Sequence, residues 1–145
     1  MTETVRRQAA LYDQQFGALK TILALIYRAR NAAREIYQSD GRADRDAYQR
    51  LQAYHTSMQE ILFEQRAILP KDVFLTAHDS KHHLIGLLSA IERFRRPGRS
   101  EPRPDHNDEV RKIYELLDAG YQRLVSAVQS HIKIECANNQ FVRGK

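Results

Sequence analysis

The chain has 145 residues, of which 42% are hydrophobic and 28% charged, and its formal net charge is +5. This length suits one domain over 1–145, and the composition is typical of a globular protein rather than a disordered one. The one cysteine, Cys136, excludes an internal disulfide and indicates a reducing compartment. The longest apolar run, 22–27, is far shorter than the ~20 residues of a membrane span, and the first residues lack the apolar region of a secretory signal. We therefore expect a single cytoplasmic domain without membrane insertion.

Glycine, proline and short polar residues mark the breaks between the predicted helices. In the segment 39–44, Gly41 suits the position just after a helix and Asp44 suits an N-cap. Pro70 suits the first turn of a third helix, because its missing N–H would have no partner there. The other three prolines fall within 97–104, a Pro-rich linker between the third and fourth helices. These breaks predict helices over about 4–38, 45–68, 70–96 and 105–138.

Within each predicted helix the apolar residues recur every three or four positions, which is the period of an α-helix. No stretch alternates between apolar and polar residues as a half-buried strand does. Short connections make consecutive helices antiparallel neighbours. The sequence therefore predicts an all-α, up-down-up-down four-helix bundle, in which the long first and last helices extend beyond the shorter middle pair.

The first helix carries more apolar surface than one face of a small bundle needs. Its apolar residues cover roughly 200° of the helical wheel, whereas a surface helix usually shows a stripe little more than about 100° wide. The surplus flank has to be buried against something, and a second copy of the chain is the simplest candidate. We therefore predict a homodimer whose interface contains Ile22, Leu25, Ala29 and Ile36.

Three of the six histidines lie in the segment LTAHDSKHHLIG, residues 75–86. His78 and His82 are four residues apart, the spacing with which a helix presents two metal ligands on one face. The helical wheel turns both away from the apolar stripe, and two outward histidines supply fewer ligands than a stable zinc site requires. We therefore predict solvated or interface histidines, with no metal or other cofactor, and a metal pair as the alternative.

Several polar residues fall on the apolar stripes of the predicted helices. His55, Lys81 and His131 belong to three different helices and lie at similar heights in the bundle, within about 9 Å. A buried charge is costly unless it is paired. Three polar residues at one height therefore predict a polar core layer that fixes the register of the helices, or, alternatively, a small polar pocket.

Arg50 and His55 are separated by four residues in the stretch RLQAYH. This spacing resembles the R-x4-6-H motif of the HEPN ribonucleases, which are also small all-α domains. The resemblance covers these two residues, and the position after the arginine, usually polar in that family, is Leu51 here. It implies an alternative function as an HEPN-like ribonuclease or toxin-type helical domain, with Arg50 and His55 as its catalytic residues.

The densest positive charge lies in the stretch RFRRPGRSEPR, around the connection between the third and fourth helices. Such a patch could contact phosphates, so a nucleic-acid-binding bundle is a further alternative. We do not favour it, because one aromatic residue is interleaved with the arginines and the acidic stretch DHNDE follows at once. The candidate binding residues are Arg93, Arg95, Arg96, Arg99 and Arg103.

The sequence contains no nucleophilic triad, phosphate-binding loop or Gly-rich nucleotide fingerprint. An enzyme is therefore the less favoured class. We expect a non-catalytic helical protein that works as a cytoplasmic homodimer and binds another protein.

Overall fold

Four helices occupy the part of the chain that the structure describes. This computed structural model describes the backbone of residues 2–39, 41–94 and 104–143, and the side chains of residues 2–39, 41–93 and 106–130. The helices are α1 (Glu3–Gln38), α2 (Arg45–Gln65), α3 (Lys71–Phe94) and α4 (Pro104–Arg143). Helices α1 and α4 contain 36 and 40 residues, against 21 and 24 in α2 and α3. The predicted all-α bundle with long first and last helices is confirmed.

The helices form a closed ring in chain order. Each helix packs against the next, and α4 returns to pack against α1. Helix α1 also contacts α3 across the bundle, so it touches all three other helices. Over the described ranges, no helix combines the length and the apolar character needed to cross a bilayer.

The connection between α1 and α2 is anchored to the first turn of α4. The Asp44 carboxylate accepts the Ala47 N–H at 2.7 Å and caps α2, as the sequence predicts. Gly41 adopts a φ of +78°, a conformation that favours glycine. Its carbonyl oxygen lies 2.9 Å from Nε2 of the buried His106, and this ring nitrogen must be the donor because a carbonyl can only accept. A Cβ at position 41 would lie 2.7 Å from the same ring, so both backbone and packing require glycine there.

The connection between α2 and α3 is a tight turn. Helix α2 ends at Gln65, three residues before the predicted end at 68. In the turn that follows, the N–H groups of Ile68 and Leu69 both donate to the Gln65 carbonyl at 3.1 Å. This turn directs Leu69 into the core, where it is buried. The Pro70 carbonyl accepts the N–H of Phe74, so Pro70 lies just outside α3 rather than in its first turn.

The prediction that one flank of α1 forms an exposed dimer interface is wrong. Ile22 and Ala29 are 0% exposed, Ile36 is 2% exposed and Leu25 is 7% exposed within a single chain. The physical reason is that α1 packs against three helices, and a helix in that position needs a wider apolar arc than one at the surface. The surplus apolar surface therefore belongs to the core of one chain.

A partly buried ion pair joins α1 to α4. The Arg30 guanidinium donates to the Asp118 carboxylate at 2.9 Å, and to the Asn31 side-chain oxygen at 3.2 Å. The rings of Tyr27 and Tyr121 also contact the guanidinium, with their centroids 5.3 and 4.8 Å from its central carbon. The Arg30 side chain is only 15% exposed, so this pairing links the two longest helices at a position largely shielded from water on the α1 side.

Helices α3 and α4 approach each other closely at Gly120. A Cβ built on Gly120 would lie 2.7 Å from the Ser80 hydroxyl oxygen and 4.0 Å from the Ser80 Cβ. Ser80 is 1% exposed, and its hydroxyl has no hydrogen-bond partner among the described residues. Glycine at 120 therefore accommodates the hydroxyl of Ser80.

We expect the effect of Gly120→Ala to depend on residue 80. Alanine stabilises a helix interior by about 1 kcal/mol relative to glycine, but beside Ser80 this gain is offset by the clash with the hydroxyl. In a Ser80→Ala background the clash is absent, so Gly120→Ala should stabilise the chain by about 1 kcal/mol. Urea unfolding of the four proteins in this cycle measures the difference. Equal stabilisation by Gly120→Ala in both backgrounds would contradict the close approach.

Candidate functional site

Two members of the predicted polar layer, His55 and Lys81, lie near each other at the contact between α2 and α3. His55 of α2 is half-buried and lies near the charges of Lys81 and His82 of α3. Its Nε2 atom is shielded from solvent and has no hydrogen-bond partner in the described part of the chain. Burial, and then the positive charges of Lys81 and His82, lower the pKa of His55 from its ordinary value. The side chain of His131, the third predicted member, lies outside the described residues.

The rings of the two candidate metal ligands on α3 contact each other. The imidazole rings of His78 and His82 lie edge to face with centroids 4.6 Å apart, and Phe74 stacks on His78 at 5.9 Å. Among the residues whose side chains are described, no three histidine, cysteine, aspartate or glutamate side chains are grouped so that they could hold a metal ion. Two imidazoles alone are too few for a structural zinc site.

The structure does not bring Arg50 and His55 into one site. Arg50 is exposed and lines a shallow depression with Asp44, Asp46 and Gln49 on the outer side of α2. His55 instead lies on the side of α2 that faces α3. Residues five apart on a helix project about 140° away from each other, so the two side chains start in different directions from this helix.

Arg93 is the one member of the predicted basic patch whose side chain is described. Its guanidinium forms an ion pair with the Glu109 carboxylate of α4, and its Nε donates to the Ser89 carbonyl at 3.4 Å. The charge of Arg93 is therefore partly compensated within the chain. The side chains of Arg95, Arg96, Arg99 and Arg103 lie outside the described residues, and a nucleic-acid interface there stays a prediction.

A groove of about 420 Å³ opens between the first half of α1 and the second half of α2. Glycine and small side chains line much of it: Gly17, Ala18, Thr21 and Ser57. A Cβ built on Gly17 would have no neighbouring atom within 4 Å, so the groove is open above this residue. At its end Gln14 donates to the Gln65 side-chain oxygen at 3.3 Å, which links the two walls.

The groove is acidic, although the chain as a whole is basic. Asp13 contributes one carboxylate from α1, and Glu60 and Glu64 contribute two more from successive turns of α2. All three residues are exposed, and none forms an ion pair with a described residue. The formal net charge of the chain is +5, so the charge around the groove is opposite in sign to that of the whole chain. Such a surface attracts cationic groups and repels phosphates.

Comparison with known proteins identifies no relative of the chain. No protein-family model, no curated protein and no solved structure matches the chain. The candidate site is therefore assigned from the geometry of the chain alone.

Sequence reasoning missed the α1–α2 groove. The available signals were the one-turn spacing of Glu60 and Glu64 and the small residues at positions 17, 18 and 21. Neither pattern is a motif, and each lies on a different wall of the groove. Only the packing of α1 against α2 places the carboxylates around a common opening.

Proposed function

We propose that the chain is a non-catalytic interaction protein that binds a positively charged segment of another protein in the α1–α2 groove. The observation that carries the proposal is a group of three carboxylates around an open groove on a basic chain, none of which forms an ion pair with a described residue: Asp13, Glu60 and Glu64. Their attraction for lysine and arginine would favour encounter with a basic partner and would exclude acidic ones.

The shape of the groove supports a peptide or helix as its occupant. From Asp13 to Thr21 the α1 wall extends about 12 Å, which is roughly two helical turns. Glycine and small side chains along the walls leave room for another backbone to approach closely. A nucleic acid is disfavoured here, because its phosphates would meet carboxylates.

The two other proposals for function have weaker support. A ribonuclease would need Arg50 and His55 to converge, and these side chains lie on different sides of α2. A homodimer through Ile22 and Leu25 would need those residues at the surface, whereas both are buried. A partner other than a second copy is therefore the first choice.

Site-specific photo-cross-linking in the native host tests this proposal. A photoreactive amino acid replaces Thr21, an exposed residue of the groove, or Leu116, an exposed residue of α4 remote from it. We expect Thr21 to yield a defined protein adduct whose cross-linked peptide is rich in lysine or arginine, and Leu116 to yield none. Glu60→Lys combined with Glu64→Lys should abolish the adduct without changing helical content, because both side chains are exposed.

Three outcomes would contradict the proposal. The first is the absence of an adduct at Thr21, and the second is equal labelling at Thr21 and Leu116. The third is an adduct that persists when both glutamates are replaced by lysine. An adduct between two copies of this chain would contradict the choice of partner.

A further inference from the structure

The contact between α2 and α3 combines a buried imidazole nitrogen with neighbouring cations. His55 presents Nε2 to the protein interior without a hydrogen-bond partner in the described part of the chain. The charged groups that act on it are Lys81 and His82, both on α3 and both positive when protonated. No described charge of α1, the other helix packed against α2, adds to or opposes them. A proton on His55 would therefore have no compensating carboxylate.

We propose that this contact is an acid-sensitive latch, in which protonation of His55 beside Lys81 and His82 loosens α2 from α3 while α1 and α4 stay paired. The second half of the proposal follows from the Arg30–Asp118 ion pair and the contact between the Tyr27 and Tyr121 rings, which join α1 to α4 independently of α2. Adding a charge next to an existing cation costs free energy only while the helices remain together.

The sign of the pH dependence follows from the direction of the shift. The pKa of His55 is lower in the closed contact than in the open one, so the open state binds more protons as the pH falls. The α2–α3 contact has its full stability above the ordinary histidine pKa of about 6.5. Its stability falls as the pH decreases from there towards the pKa of His55 in the closed contact. In that interval the equilibrium constant for separating α2 from α3 rises by up to about tenfold for each unit of pH decrease, because opening is coupled to the uptake of one proton.

Protonation of His83 would also lower stability, as protonation of His55 does, but His83 lies at a different contact. Burial is the main cause that lowers its pKa, and Arg123 of α4 and His82 lower it further against the opposing charge of Asp79. Its acid response would therefore concern α3 and α4. A test of the latch has to resolve individual helices instead of measuring global unfolding alone.

Hydrogen exchange followed by mass spectrometry, from about pH 7.5 to about pH 5.5 and corrected for intrinsic rates, resolves the helices in this way. We expect peptides from α2 to lose protection at the acid end, whereas peptides from the centres of α1 and α4 keep theirs. His55→Gln should remove this response because glutamine does not titrate, and Lys81→Gln should reduce it. His83→Gln is the matched control and should leave the response of α2 in place.

Loss of protection in all helices together, no loss in α2, or an unchanged response in His55→Gln would overturn the proposal. If His55→Gln fails to fold, an NMR titration of the wild-type imidazoles replaces it. The His55 ring should then titrate below the ordinary histidine pKa, with the midpoint at which α2 amides lose protection. Different midpoints for the ring and the amides would equally overturn the latch.

Discussion

Leu25→Glu is expected to unfold the chain, whereas Leu116→Glu should leave it folded. Leu25 is 7% exposed between α1 and its neighbours, so a glutamate there would bury an unpaired carboxylate and leave part of the core unfilled. The expected loss is more than about 4 kcal/mol, a large part of the 5–15 kcal/mol that stabilises a typical domain. Leu116 is 44% exposed, and the same substitution there should cost less than about 1 kcal/mol.

Urea unfolding, followed by far-ultraviolet circular dichroism, compares the two variants with the wild type. The pair is matched because the change in side chain is identical and only burial differs. This experiment also separates a core position from an interface position. A Leu25→Glu variant that keeps wild-type stability but changes its mass in light scattering would restore the flank of α1 as an interface between copies.

Asp118→Ala is expected to destabilise the chain by about 2 kcal/mol. Removing one partner of a buried ion pair usually costs 3–5 kcal/mol, because the remaining charge is left uncompensated. The figure is smaller here because the Asp118 side chain is 38% exposed, and water can partly solvate the Arg30 guanidinium after the substitution. The neighbouring tyrosine rings would retain part of the interaction with the cation.

Arg30→Met distinguishes the cost of an unpaired charge from a simple loss of contacts. Methionine fills much of the same space without a charge, so Asp118→Ala combined with Arg30→Met should be more stable than Asp118→Ala alone. Urea unfolding of the wild type, both single variants and the double variant gives the coupling energy. Additive effects of the two substitutions would show that the pair does not fix the contact between α1 and α4.

The architecture was predictable because its signals are local. The helical period, the Asp44 cap and the proline positions each depend on residues a few positions apart, and they place the helix ends within about five residues of those in the structure. The early stop of α2, at Gln65, is followed by a turn that directs Leu69 into the core. Whether the chain turns at this point depends on the residues that Leu69 packs against. Those residues are mostly distant in the sequence, so the local sequence does not reveal them.

The candidate sites were less predictable, since each is divided between helices. His55 and Lys81 were expected at one height, and the structure places them close enough for the charge of Lys81 to affect the pKa of His55. The role of His82 in that contact was missed, because the helical wheel turns His82 away from the apolar stripe and predicts a solvated or interface histidine. The acidic groove was missed entirely, as Asp13 and Glu60 have no relation in sequence.

The sequence alone determined the helices, their order and the width of the apolar arc on α1. It could not determine what covers that arc, since hydrophobic burial is non-directional and is satisfied equally by the same chain or by a second one. Only the tertiary structure decided that Ile22, Leu25, Ala29 and Ile36 face their own chain, because that choice depends on the rotations of α1 and its three neighbours against one another. The same rotations set Arg30 against Asp118 and leave the groove beside Gly17 open.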